Sequence, residues 1–503
     1  MISNRTNIGF GLLLVLCLFS IAPAWAGGKG PAWDALPAAA MTDTGLARVI
    51  VGLTVADYDA LAARSAQYKV VTPDEAPKNR AASKAADAAL EAAIASSVNA
   101  VLASLPKSAY TVYRTYSALP FVAVAVNAKA LEALQAEPGV TSIEVDAPIP
   151  LPLPVPSGSG AKGESGAAST APPQLPTSGN LNWGPPKIGA DTAWSRGYTG
   201  AGWTVAILDT GIRRTHEFFA GKTIVEACFS ANSNCPGGTK TAYGPGSAVH
   251  YANTYTGYDH GTHCAGIATG NKADGTVAGV AKNANLIAVQ VFSIIPDTTP
   301  WIGSYPSDQL AGLNYVYSLR GSTSIAAASM SLGGGAYSTP CDSASQKAGV
   351  DLLRSVNIAT TIATGNDGYC SYISSPACIS TAIAVGASTS GDGESYFNNW
   401  NPNLQTLFAP GSGIYSSTGA SDTSYASWDG TSMATPHVAG TWAILRQNRP
   451  NDSVGTILSR VLAGGTPIVT GCGTGLSKPR VYIPAALEAN ASSTQLLPLL
   501  LDQ

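Results

Sequence analysis

Asp429-Gly430-Thr431-Ser432-Met433-Ala434-Thr435-Pro436-His437-Val438-Ala439-Gly440 reads as a tight glycine turn running into an apolar helix, with a serine where the helix begins. A serine there lies at the positive end of the helix, among backbone N–H groups that lack intrahelical partners. Its ordinary use is to cap those groups with its hydroxyl. Its other use is as a nucleophile, which requires a base, a carboxylate to orient the base and a donor for the developing oxyanion. Stretches elsewhere in the chain supply candidates for all three.

Outward from this stretch, from Trp183 to about Leu487, short apolar runs alternate with helical segments. The runs are Trp203 to Leu208, Leu286 to Phe292, Ile325 to Leu332, Asn357 to Ala363 and Thr381 to Val385. Helices are predicted over Asp308 to Leu319, Asp342 to Val356 and Thr435 to Gln447. Apolar runs without two-residue alternation suit strands covered on both faces. The fold class is therefore α/β, a doubly wound and mostly parallel sheet.

In such a sheet the functional groups gather at the carboxyl ends of the strands. The first run ends in Asp209-Thr210-Gly211, the third in Gly333-Gly334-Gly335 and the fourth in Thr364-Gly365-Asn366-Asp367-Gly368. A carboxylate, a glycine-lined edge and an amide are thus expected on one rim. Asp259-His260-Gly261-Thr262-His263-Cys264-Ala265-Gly266 puts His260 at another helix start, where its ring can swing over that rim. His263, one turn inside, is expected to pack against its surroundings. Cys264 follows His260 by four residues and shares its helix face.

These motifs resemble those of the subtilisin family of serine endopeptidases, most of all its proteinase K branch. Val205-Ala206-Ile207-Leu208-Asp209-Thr210-Gly211-Ile212 is similar to the family's aspartate motif, and His260 to Gly266 to its histidine motif. Gly430 to His437 is similar to its serine motif, Ser329 to Gly334 to its substrate-binding strand, and Thr364-Gly365-Asn366 to its oxyanion segment. The chain order Asp, His, Ser is also that of the family. The resemblance covers roughly residues 181 to 487 and implies a sheet of subtilisin type. It implies Asp209, His260 and Ser432 as the catalytic triad, with Asn366 and the Ser432 N–H as the oxyanion hole. Ser331, Leu332, Gly333 and Gly334 would bind substrate, with Ser331 and Gly333 pairing an extended polypeptide as an added strand. No metal and no cofactor is expected for the chemistry, and the family's structural calcium sites are not legible here. Thr364 stands where the family usually has alanine or glycine, and is expected to alter the pocket wall.

The remaining sequence frames this unit. Residues 1–26 look like a secretory signal, with Arg5, an apolar stretch from Ile8 to Ile21, and Ala24-Trp25-Ala26 before the cut. Residues 27–150 carry the order strand, helix, helix, strand, strand, helix, strand, a ferredoxin-like α+β arrangement with one extra helix. By the resemblance this is an inhibitory propeptide, its end at Asp146 to Pro150 or just beyond occupying the cleft. Residues 151–180 are a Pro/Gly/Ser-rich linker, long for the family. The catalytic domain is assigned to 181–490 and a tail to 491–503. No stretch after the signal is read as reaching membrane length.

With 503 residues, 45% hydrophobic and 12% charged, and a formal net charge of -3, the chain carries no footprint of nucleic-acid or membrane binding. It is expected to be secreted, monomeric and self-inhibited. Seven cysteines remain once Cys17 leaves with the signal, so disulfides and one free thiol, Cys264, are expected. Three rivals are weighed. An aspartic protease needs a second carboxylate, and Asp43-Thr44-Gly45 lacks a preceding apolar strand. A lipase elbow would end in glycine where Ala434 stands. The third is a secreted binding protein on a catalytically dead scaffold.

Overall fold

The computed structural model describes residues 29–70, 76–153 and 182–489. The expected signal, the linker beyond residue 153 and the tail lie outside the described residues.

The N-terminal unit comprises β1 (Ala47–Leu53), α1 (Tyr58–Ala66), α2 (Ala76–Ala103), β2 (Tyr110–Thr115), β3 (Phe121–Val126), α3 (Ala128–Ala136) and β4 (Val140–Val145). Its strands pair antiparallel in the order β2-β3-β1-β4, the ferredoxin-like arrangement expected from the element order. Leu90, Ile94, Val98 and Val101 recur at helical spacing along α2 and are buried, so that this face is the seam against the sheet. The expectation about membrane length fails on composition alone, since Ala81–Ala103 is long and apolar enough to cross a membrane. Its buried face nevertheless makes it a core helix of this unit.

The second unit follows after β5 (Ile149–Pro150). It comprises α4 (Gly184–Lys187), α5 (Ala190–Ser195), β6 (Thr204–Asp209), β7 (Ile224–Phe229), β8 (Thr241–Tyr243), α6 (His260–Thr269), β9 (Asn285–Gln290), β10 (Ser293–Ile295) and β11 (Trp301–Ser304). Next come α7 (Pro306–Ser318), β12 (Ile325–Met330), β13 (Gly334–Tyr337), α8 (Gln346–Ser355), β14 (Ala359–Ala363), β15 (Ile373–Ser375), β16 (Ile383–Ser388) and β17 (Leu407–Pro410). The chain ends with β18 (Ile414–Ser417), β19 (Tyr425–Trp428), α9 (Thr431–Asn448), α10 (Val454–Ala463), β20 (Thr466–Val469), β21 (Ser477–Arg480) and α11 (Ile483–Glu488).

One ten-stranded sheet organises this unit, in the order β20-β21-β17-β16-β14-β12-β6-β9-β7-β8. Only its outermost strands, β20 and β8, pair antiparallel; the rest are parallel. From β6 the chain passes out to β7 and the edge strand β8, returns to β9 between β6 and β7, and then crosses to β12, β14, β16 and β17 on the other side. The reversal between β6 and β12 is the switch point at which doubly wound sheets bind ligands. Helices α6 and α9 cover this point. Every residue of α6 is buried, as is α9 from Thr431 through Arg446. Helices buried on every face are sealed inside the protein, so their polar groups, such as His260 and Thr262 in α6, must find partners there.

The N-terminal unit sits on the starts of α7 and α8. Asp146 accepts hydrogen bonds from Ser307 N (2.9 Å), Ser307 Oγ (2.7 Å) and Tyr113 OH (2.6 Å). Glu144 accepts from Ser345 N at 2.7 Å. Carboxylates at helix N-termini meet unpaired N–H groups and a favourable dipole. Arg114 pairs with Asp308 at 2.5 Å, with both side chains buried. Asp146 therefore serves as a helix cap, and the segment that pairs with β11 starts at Ile149. There β5 pairs antiparallel with β11, Ile149 opposite Ser304 and Pro150 opposite Gly303.

Replacing Arg114 by methionine strands the Asp308 carboxylate in the interface without its cation. Loss of one partner of a buried pair costs about 3–5 kcal/mol. The urea midpoint of the full chain, measured with Ser432 also changed to alanine, should fall accordingly. Adding Asp308→Leu should recover part of the loss. An unchanged midpoint in the single variant would mean that the pair contributes nothing net.

Candidate active site

Strand β6 delivers Asp209 to the carboxyl edge of the sheet, where it is 1% exposed. Asp209 Oδ1 accepts from Thr210 N at 2.7 Å and faces His260 Nδ1 at 2.8 Å. An ionised carboxylate only accepts, so Nδ1 of His260 carries the proton in this bond. The other ring nitrogen, Nε2, is buried and makes no hydrogen bond among the described residues, which leaves its lone pair free in the neutral ring. Burial works against a charged ring here, but the Asp209 carboxylate outweighs it. Together they hold His260 well above the ordinary histidine value.

His260 is the first residue of α6, as the sequence suggests. The helix approaches β6 closely because residue 261 is glycine. A Cβ at that position would lie 2.3 Å from Gly211 O and 3.1 Å from Asp209 Cβ. His263 is packed, as expected. Its Nε2 donates to Ala426 O at 3.0 Å, its ring stacks on Trp428 at 4.2 Å, and burial pushes it down to about 3. Trp428 also lies parallel to the His260 ring at 6.5 Å, a neighbour that the sequence reading did not single out.

Ser432 is fully buried and stands inside α9, one residue past the first; Gly430 is the N-cap. The predicted helix start at Thr435 is thus corrected: the helix begins at Thr431, before the serine, and no side chain caps it. Ser432 Oγ donates to Ser331 O at 3.4 Å. The Ser432 carbonyl has a more unusual environment. Pro436 lies within the same helix and has no N–H to offer the carbonyl four residues earlier. Ser331 Oγ donates to that oxygen instead at 2.8 Å, and Cys264 Sγ lies 3.5 Å from it. Cys264 also lies 3.8 Å from His260 Nδ1, so one thiol touches both helices. It is the one free cysteine among the described residues.

Asn366 follows β14 at the same edge. Its Oδ1 accepts from Thr431 N (2.9 Å) and Thr431 Oγ1 (2.8 Å). With the oxygen committed, Nδ2 is left as a donor; it is buried and has no partner among the described residues. Thr364 does not shape a pocket wall as expected. It is fully buried, and its hydroxyl turns inward to Val385 O and Asn398 Oδ1, both at 3.3 Å.

The glycine edge departs from expectation in one respect. Strand β12 stops at Met330, and Gly334 begins a short strand, β13, paired with β15. Leu332 is buried. Ile149 lies over Gly334, where an added Cβ would come within 2.8 Å of Ile149 Cγ2. The ladder that this segment joins is β11, through Ile302, Gly303 and Ser304. That edge was missed from sequence; its one signal is a Gly-Ser pair closing an apolar run just before a helix. Leu151 continues the path and reaches Gly257, three residues before His260.

As for metals, Asp209, His260 and Cys264 each offer a ligand atom within 4.8 Å of the others. The Asp209–His260 hydrogen bond already uses two of those groups, so a cation there would compete with it. The remaining six cysteines form the disulfides Cys228–Cys235, Cys341–Cys378 and Cys370–Cys472.

A model of the subtilase family matches residues 200–463. An alkaline protease of Alkalihalobacillus alcalophilus is 32% identical over 337 residues, 67% of this chain and 71% of that protein. A subtilisin-like serine protease, AsES, of Sarocladium strictum is 33% identical over 359 residues, 70% of this chain and 76% of that protein. Among solved structures, a protease from Pseudoalteromonas arctica aligns with a TM-score of 0.50 at 25% identity, covering 61% of this chain and 94% of that one.

The Asp209–His260 bond can be read by titration. With histidine selectively labelled, the His260 resonances should titrate with a midpoint above 6.5, and Asp209→Asn should lower that midpoint. His263 and His437, pushed by burial to about 3 and about 4, stay silent over this range. A parent midpoint at or below 6.5 would contradict the pairing.

Proposed function

This chain belongs to the subtilase family of serine peptidases, and we propose that it cleaves polypeptides through an acyl-enzyme formed on Ser432. Ser432 Oγ attacks the carbonyl carbon of the scissile bond. His260 Nε2 takes the hydroxyl proton and then passes it to the leaving amine. Asp209 holds the ring in the tautomer that leaves Nε2 free, and it stabilises the imidazolium that forms. Asn366 Nδ2 and the Ser432 N–H meet the oxyanion. Water then releases the acyl group by the same steps. The single observation that carries this reading is the His260 ring, with Nδ1 committed to Asp209 and Nε2 left as a base. No cofactor is needed for these steps. All the groups the chemistry requires are present, so the dead-scaffold reading finds no support.

The substrate lies extended between β11 and the Ser331 to Gly334 segment, held largely by backbone bonds that tolerate varied sequence. In the precursor, residues 27–150 act as an intramolecular inhibitor. The support is the β5 strand on β11, continued by Leu151 toward His260. Residues 1–26 direct export, 151–180 link the inhibitor to the catalytic domain at 181–490, and 491–503 form a tail. Three disulfides suit an oxidising, extracellular setting. The mature enzyme works as a monomer outside the cell.

Ser432→Ala should abolish casein cleavage and leave the unprocessed precursor to accumulate. A sulfonyl fluoride should form one adduct, located at Ser432 by mass spectrometry; labelling elsewhere with retained activity would overturn the assignment. Asn366→Ala should cost about 100- to 1,000-fold in kcat. The base must be neutral to act, and His260 is held above 6.5, so kcat/KM should be lost on acidification through a midpoint above that value and gained toward alkaline pH. A limb centred below it would be inconsistent with the site.

A further inference from the structure

Asn399 lies in the connection between β16 and β17, far in sequence from any motif that carries the chemistry, and it is fully buried. Its hydrogen bonds go to the segment that holds Asn366. Asn399 Oδ1 accepts from Asp367 N at 2.9 Å and from Tyr369 N at 3.2 Å. Its Nδ2 donates to Asp367 Oδ2 at 3.0 Å and to Ser374 Oγ at 3.4 Å. Its backbone N–H donates to Gly365 O at 3.1 Å. Residues 365, 367 and 369 are thus tied to one side chain and its backbone, bracketing Asn366.

The fit leaves no slack. Gly365 has φ +107°, and a Cβ there would meet Asn399 Nδ2 at 2.2 Å. On the outer side, Asp367, Gly368 and Tyr369 are exposed, so the segment is a surface loop anchored from beneath. Thr431 fixes the Asn366 side-chain oxygen from the helix. Thr431 Oγ1 also accepts from Gly365 N at 3.2 Å, which holds the loop where it leaves β14. Asn399 holds it on the far side of Asn366, through Asp367 N and Tyr369 N.

We infer that Asn399 is a positioning residue for the oxyanion donor, holding the 365–369 loop so that Asn366 Nδ2 meets charge only as it develops. Preorganised donors stabilise a transition state because they need not reorganise during the reaction. Loss of the clamp should therefore fall on turnover more than on substrate binding, which lies along β11 and Ser331 to Gly334. This inference rests on the reading of Asn366 as an oxyanion donor.

A double-mutant cycle tests it, with kcat and KM measured on a peptide anilide for the parent, Asn366→Ala, Asn399→Ala and the double variant. Active sites are counted with the sulfonyl fluoride, so that only folded enzyme enters kcat. Asn399→Ala alone should lower kcat by about 10- to 100-fold, as expected for a misplaced catalytic group, with KM nearly unchanged. In the Asn366→Ala background the same change should cost less than about 2-fold, because the two act as one unit. Equal losses in both backgrounds would reduce Asn399 to scaffolding and overturn the inference while leaving Asn366 as a donor. An Asn366→Ala variant with parental kcat would instead overturn the reading of Asn366, and the inference with it. Should Asn399→Ala not fold, a charge swap decides. Asn399→Asp sets two carboxylates together and should lower kcat, and adding Asp367→Asn should restore it by re-forming the bond with donor and acceptor exchanged. Failure to restore would count against the clamp.

Discussion

The close approach of the two buried helices to the sheet edge and to each other is the constraint on which this site depends. At the start of α6, Gly261 lets the helix rest against the Asp209 turn, where any side chain would overlap Gly211 O at 2.3 Å. In α9, Gly440 passes Val280 and the Ala268 carbonyl, and a Cβ there would lie 2.8 and 2.9 Å from them. Glycine inside a helix costs roughly 1 kcal/mol relative to alanine. The chain tolerates that cost because tertiary packing, rather than helix propensity, sets the stability of buried helices. Were the helices held farther out, the imidazole would lose the carboxylate and the Ser432 hydroxyl would lose its contact with the Ser331 carbonyl.

Pro436 adds a second link between the helix and the sheet. It would ordinarily break α9, since the ring removes a hydrogen bond and leaves the Ser432 carbonyl without its helical donor. Here Ser331 Oγ, from the end of β12, supplies the missing donor. The Ser432 backbone is thereby tied directly to the segment that follows β12. The buried thiol of Cys264 reaches the same oxygen and the His260 ring, packing the gap between the helices. A defect in one element is thus satisfied by a neighbour, which makes the geometry of Ser432 a property of three elements at once.

The N-terminal unit uses the same physics from outside. It presents two carboxylates, Glu144 and Asp146, to the unpaired N–H groups at the starts of α8 and α7. It also buries the pair Arg114–Asp308 across the junction. These groups orient the unit, and the orientation aims β5 at the open edge of β11. An unpaired strand edge recruits another strand through backbone bonds. The β5–β11 ladder is therefore held in place by backbone bonds along the strand and by charged contacts at the helix starts.

The sequence by itself determined the element order of the N-terminal unit, five strands of the parallel sheet in the second unit, and the placing of Asp209 and Asn366 at strand ends. It also marked His260 at a helix start and Cys264 as the unpaired thiol. These follow from local patterns, because burial on both faces, turn glycines and helix starts act over a few neighbouring residues. Tertiary structure alone decided which cysteines join, that β11 is the pairing edge, that Thr364 turns inward, that the serine helix starts at Thr431 without a side-chain cap, and that Asn399 reaches back to the 365–369 loop. Each of these is a contact between segments whose separation in space is set by the order of strands in the sheet, and no periodicity along the chain encodes that order.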